Sequence, residues 1–133
     1  MILDASAVVA ILRAEPEASA MAEAMDRAGE CAVSAVTYLE AAIVIDSARD
    51  PIASRRFDDF FRESRIVVEP VTFRHAKVAR DAYRDFGKGR HRAGLNFGDC
   101  FAYALAKEKG EALLFKGDDF RHTDVEDASI DNP

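Results

Sequence analysis

Short apolar runs alternate with longer amphipathic stretches along the whole chain. Met1 to Leu3 is an apolar run that stops at Asp4, and Ala5 to Leu12 reads as a helix with Ser6 as its N-cap. Glu15-Pro16-Glu17 interrupts the pattern. A second helix then runs to about Ala28, where Gly29 ends it. Cys31 to Val33 reads as a second strand. Ser34 caps a third helix reaching about Arg49, with Val36, Leu39 and Ile43 as its apolar stripe and Glu40 on that stripe. Asp50-Pro51 opens a fourth helix to about Arg62, apolar at Phe57, Phe60 and Phe61. Ile66 to Val68 predicts a third strand. From Thr72 a fifth helix carries Ala76, Ala79, Tyr83 and Phe86 on one side. Gly87 to Gly94 is a basic loop. Leu113 to Phe115 is the fourth strand, turning at Lys116-Gly117-Asp118-Asp119-Phe120, and a further short strand is expected near Val125.

One stretch breaks the amphipathic rule. After Asp99 every residue through Ala106 is apolar or aromatic, so no solvent face can be drawn. This predicts a central helix buried on nearly all sides, capped by Asn96 at its start and Gly110 at its end. Strands alternating with helices predict an α/β fold: one domain with a mostly parallel sheet of four to five short strands and helices on both faces.

Composition narrows the function. No apolar run approaches membrane-spanning length and no signal-peptide pattern opens the chain, so a cytoplasmic protein is expected. Cys31 and Cys100 offer neither a disulfide framework nor finger spacing, and both read as buried free thiols. The net charge of −6 argues against a broad basic nucleic-acid surface. The acids form a solvated surface, or some gather in a pocket while bases cluster elsewhere. Arg84, Lys88, Arg90, His91 and Arg92 supply such a cluster.

Four acids occupy special positions. Asp4 ends the first strand, where open α/β sheets place their ligands. Glu40 lies on a buried helix face, Asp99 opens the buried helix, and Asp118 and Asp119 follow the last strand. Each also has a plain structural reading: a turn or cap for Asp4, an edge ion pair for Glu40, a capping box for Asp99. Together, clustered carboxylates repel unless protonated or holding a hard cation, and Mg²⁺ or Mn²⁺ suits an all-oxygen site. His75, His91 and His122 show no zinc spacing, and no phosphate-binding Gly-x-x-x-x-Gly-Lys loop is present. That leaves phosphodiester hydrolysis with a water activated by the cation. Lys88, Arg90 and Arg92 would hold flanking backbone phosphates.

The chain resembles the PIN-domain ribonucleases, specifically the VapC toxins of VapBC toxin–antitoxin modules. The resemblance rests on Ile2-Leu3-Asp4-Ala5-Ser6, Thr37-Tyr38-Leu39-Glu40, Gly94-Leu95-Asn96-Phe97-Gly98-Asp99-Cys100 and Leu113-Leu114-Phe115-Lys116-Gly117-Asp118-Asp119-Phe120. It implies one PIN domain over residues 1–133 and a Mg²⁺- or Mn²⁺-dependent endoribonuclease. The family's three main acids correspond to Asp4, Glu40 and Asp99. Its fourth corresponds to Asp119 rather than Asp118, because Gly117 stands where many PIN domains carry the acid. Ser6 matches a small hydroxyl residue expected to orient Asp4 or a water. A VapB-type antitoxin and a homodimer are further implications. An Asp-nucleophile phosphatase of haloacid-dehalogenase type wants a second Asp where Ser6 stands. A receiver-like module wants an acceptor Asp where Glu69-Pro70-Val71-Thr72 runs. A catalytically inactive PIN-fold interaction module is at odds with the intact acids.

Overall fold

The first strand, β1 (Ile2–Leu3), is two residues long, and its two side chains divide the interior. Ile2 points into one apolar layer with Leu95, Leu105 and Leu113. Leu3 points into the other with Val8, Val33, Ile45, Phe57 and Leu114. Successive strand residues face opposite sides of a sheet, so one short strand anchors both layers. The structure, a computed structural model, describes residues 1–129.

After β1 the chain runs through α1 (Ala5–Leu12), α2 (Ala18–Ala28), β2 (Ala32–Ser34), α3 (Ala35–Asp46) and α4 (Pro51–Glu63). It continues through β3 (Val67–Glu69), α5 (Phe73–Phe86), α6 (Phe97–Lys109), β4 (Leu113–Leu114) and a 3₁₀ turn, Asp119–His122. The four strands pair in parallel in the order β3-β2-β1-β4. This is the expected α/β architecture, with helices on both faces. From β1 the chain first builds outward through β2 to β3, then places β4 on β1's other side. The order therefore reverses between β1 and β4, which opens a crevice beyond their carboxyl ends. Among the described residues no helix is long and apolar enough to cross a membrane.

The expected central helix is α6, buried from Gly98 to Ala106 except at half-buried Phe101 and closed by Gly110 in the left-handed region. The caps at Ser34, Asp50, Thr72 and Asn96 stand where the sequence puts them. Both cysteines are buried free thiols.

Five expectations need correction. The α1 cap is Asp4, not Ser6, because the Ser6 N–H bonds to the Asp4 side chain and helical geometry begins at Ala5. The buried face of α3 is Thr37, Ala41 and Ile45, whereas Leu39 and Ile43 are more than half exposed. Small Ala41 lets α3 pack closely on its neighbours, so bulk did not decide the inward face. α3 also ends at Asp46, short of Arg49, which takes a positive φ. On α5 the buried residues are His75, Ala79 and Ala82, while Ala76 and Tyr83 are exposed. His75 Nδ1 accepts the Thr72 N–H, and its Nε2 pairs with Glu108, which ties α5 to α6 at that end. The short strand expected near Val125 is a single parallel bridge, Leu113 to Asp127.

Candidate active site

Asp4 stands at the carboxyl end of β1, facing the crevice. Its backbone N–H donates to Leu114 C=O at 2.9 Å, which locks it to the end of β4. Its Oδ2 accepts the Ser6 N–H at 3.0 Å and the Ser6 hydroxyl at 2.6 Å. Its Oδ1 is buried and accepts nothing. The same Ser6 hydroxyl accepts the Lys116 N–H at 3.0 Å. Lys116 Nζ in turn pairs with Glu15 at 2.6 Å and Glu17 at 3.4 Å. Ser6 and Lys116 thus tie the turn after β4 to Asp4.

Asp99 sits in the first turn of α6. Its N–H donates to Asn96 Oδ1 at 2.9 Å, and its Oδ2 accepts the Asn96 N–H at 3.0 Å. The capping box therefore exists. It uses one carboxylate oxygen, so capping and membership of an acid cluster are compatible. Glu40, on α3, is half-buried, and its carboxylate lies against Gly98 beside Asp99. Asp119 is exposed at the start of the 3₁₀ turn. Asp118 is also exposed and pairs with Arg121 at 3.4 Å.

The electrostatics tie Asp4, Glu40, Asp99 and Asp119 together. Burial pushes the Asp4 carboxyl above its ordinary value despite the Ser6 hydrogen bonds, and the charge of Asp119 adds to the rise. Burial, then the charge of Asp4, raises Glu40. Asp99 is pushed up to about 7, first by burial and then by Asp4, Glu40 and Asp119, against the lowering effect of the Asn96 N–H. Strongly raised acids beside like charges are a common signature of functional sites.

As they stand, no three His, Cys, Asp or Glu side chains among the described residues are drawn together closely enough to hold a metal ion. The donor chemistry nonetheless suits a divalent cation. The donors are all carboxylate oxygens, and a buried Asp4 oxygen lacks any partner. Thr37 Oγ1, buried three residues before Glu40, is likewise unbonded.

Lys88, Arg90 and Arg92 are exposed on the loop that leads into α6, and Arg90 lies over the Tyr83 ring at 5.6 Å. Among the described residues none of the three is ion-paired with the four acids. Two contributors escaped the reading of the sequence. The Lys116 brace depends on contacts more than a hundred residues apart and leaves no local signal. Gly98 does leave one: a glycine inside a helix start, against propensity.

The PIN domain family profile matches residues 1–126. The chain is 55% identical to Ribonuclease VapC28 of Mycobacterium tuberculosis over 129 residues, spanning 96% of this chain and 97% of that protein. It is 48% identical to Ribonuclease VapC of Mycolicibacterium smegmatis over 125 residues, spanning 94% and 97%. The crystal structure of M. tuberculosis VapC20, described as a Sarcin-Ricin loop cleaving toxin, superimposes with a TM-score of 0.71 over 93% of this chain and 95% of that one. At 17% identity the latter bears on the fold alone.

The raised acids set the pH dependence of the metal-free protein. A carboxyl whose folded pKa lies above its unfolded value favours folding below the unfolded value, and that contribution is lost as pH rises through the folded one. For Asp99 the window runs from 3.8 to about 7. In EDTA the protein should gain on the order of 1–2 kcal/mol from this group as pH falls from about 8 to about 5.5. Asp99→Asn should flatten that gain and match or exceed the unmutated protein at pH 8, since Asn keeps an acceptor for the Asn96 N–H. Urea melts at the two pH values measure both.

Proposed function

The chain belongs to the PIN-domain family, among its VapC ribonucleases, and on that premise we infer that it is the endoribonuclease toxin of a toxin–antitoxin pair. The observation that carries the reading is the acid cluster. Asp4, Glu40, Asp99 and Asp119 come from four separate elements at the crevice between β1 and β4, and the charges of Asp4, Glu40 and Asp119 together raise Asp99. The site we assign comprises these four with Ser6 as an orienting hydroxyl, and Asp118 is left out because it turns to Arg121.

A divalent cation, Mg²⁺ or Mn²⁺ in our reading, would be held by Asp4, Glu40, Asp99 and Asp119. When bound it supplies Lewis-acid stabilisation of charge building on the phosphate. The protein's own share is positional. Ser6 holds Asp4 Oδ2 and leaves Oδ1 free to act as a ligand. Asn96 fixes Asp99 through one oxygen in the same way. Burial and like charges raise Asp99 to about 7, so a cation held there would displace its proton and its binding would depend on pH. Lys88, Arg90 and Arg92 serve as contacts to the RNA backbone. The reading also implies a VapB-type antitoxin and action in the cytoplasm.

We further propose a homodimer formed through the cleft between α5 and α6. This cleft of about 460 Å³ is lined by Ala76, Ala79, Tyr83, Phe97 and Phe101, and Phe97 on its edge is 75% exposed. Apolar surface of this kind marks interaction sites, and a raised ring beside a cleft can serve both halves of a two-fold contact.

With labelled RNA and Mn²⁺, excess EDTA should abolish cleavage. Asp4→Asn, Glu40→Gln and Asp99→Asn should each lower the rate by about 10²-fold or more. Calorimetry should show Mn²⁺ affinity rising as pH climbs through about 7, with protons released. Full activity in EDTA overturns the mechanism. Replacing Lys88 and Arg92 by Ala should flatten the salt dependence of RNA binding by about one unit of slope per lost phosphate contact. An unchanged slope would make the loop plain surface. In light scattering Phe97→Ser should shift the mass from dimer to monomer, and a monomeric unmutated protein would refute the interface.

A further inference from the structure

Gly98 occupies the first turn of α6, buried, between Phe97 and Asp99. Its backbone is ordinary: the glycines with positive φ are Gly29, Gly89, Gly94, Gly110 and Gly117. Conformational freedom is thus not what this position needs. In a helix glycine is disfavoured relative to alanine, so some other requirement offsets the loss.

The requirement is space. A Cβ built on residue 98 would stand 2.6 Å from Glu40 Cδ and 2.8 Å from its Oε1, and closer still to Oε2. Among the described residues outside its own helix turn, the three nearest atoms all belong to Glu40. The Glu40 carboxylate makes no hydrogen bond or ion pair with any described residue. Its place is therefore set by the surface it rests on, and that surface is the bare Cα of Gly98. Asp99 is the next residue along the same helix turn. The charge of Glu40 contributes to raising the Asp99 carboxyl.

We propose that Gly98 is a positioning residue: its missing side chain is the seat that holds the Glu40 carboxylate beside Asp99. The inference rests on these acids being the reactive centre. A side chain at 98 drives Glu40 out of the crevice and pulls one donor from the set. Gly98 touches neither substrate nor cation and acts only through Glu40.

The test has a part that needs no metal and a part that does. In EDTA, melting temperatures are compared for the unmutated protein, Gly98→Ala, Glu40→Ala and the double variant. Gly98→Ala should lower the melting temperature when Glu40 is present. It should raise it in the Glu40→Ala background, because the seat is then vacant and helix propensity alone acts. A Gly98→Ala chain that fails to fold while the double variant folds is the same coupling in stronger form. An equal effect of Gly98→Ala in both backgrounds overturns the seat.

For the positioning role, Mn²⁺ affinity and RNA cleavage are measured for Gly98→Ala, Glu40→Asp and their combination. Gly98→Ala should weaken Mn²⁺ binding about 10–100-fold, the range for groups that support metal ligands. kcat should fall and KM for RNA should change little. Glu40→Asp, shorter by one methylene, should recover part of both losses when combined with Gly98→Ala and should impair the enzyme when Gly98 is kept. Wild-type Mn²⁺ affinity in Gly98→Ala overturns the role. If the unmutated protein neither binds Mn²⁺ nor cuts RNA, the nuclease reading falls, and the melting-temperature cycle still decides whether Gly98 seats Glu40.

Discussion

One carboxylate oxygen, Asp4 Oδ1, is buried at the end of the central strand with nothing bonded to it. Its twin accepts two hydrogen bonds from Ser6. An unpaired buried acceptor costs on the order of 1–3 kcal/mol, more if it is charged. The fold carries that cost in the middle of its sheet. β1 is fastened to β2 and β4, α1 starts from Asp4 itself, and the turn after β4 is tied to Ser6. Asp4 is therefore both the first capping residue of the molecule and the holder of a buried, unpartnered oxygen.

The neighbouring acids follow the same pattern. Asp99 and Glu40 are each held through one contact and left open elsewhere. Asp99 uses an oxygen to close the capping box of α6. Glu40 rests on Gly98. Asp119 is exposed on its turn, within reach of the charges of Asp4 and Asp99. Local bonds fix Asp4 and Asp99, while burial and neighbouring charge raise the carboxyls of Asp4, Glu40 and Asp99 above their ordinary values. That tension is the usual relation between stability and function at a reactive centre.

Much of this was legible in the sequence because it is local. Caps depend on a residue and its second or third neighbour, so Ser34, Asp50, Thr72 and Asn96 could be read directly. The parallel sheet followed from alternation, and the burial of α6 from its unbroken apolar run. The inward face of α3 was not legible, and that of α5 only in part, at Ala79 and Phe86. Both are packed through alanine, Ala41 in one and Ala79 and Ala82 in the other, and size-weighted patterns favour Leu39, Ile43 and Tyr83 instead. Glu40 was thus placed in the site by an argument about the wrong stripe. What brings it there is close approach to α6, which depends on a glycine far along the chain. The role of Ser6 shifted for a similar reason, since its hydroxyl serves Asp4 and Lys116 together rather than a helix end.

The bond from the Lys116 amide to Ser6 joins positions 110 apart. β1 finds one of its two sheet partners, β4, only near the far end of the described residues. During translation, then, a ribosome has to extrude residues through about Asp119 before Asp4 can meet the rest of its set. Partial chains that stop short of β4 hold Asp4, Glu40 and Asp99 without the strand that brings the last acid to them. The surroundings of Asp4 are therefore complete only in a chain that already carries β4 and its turn.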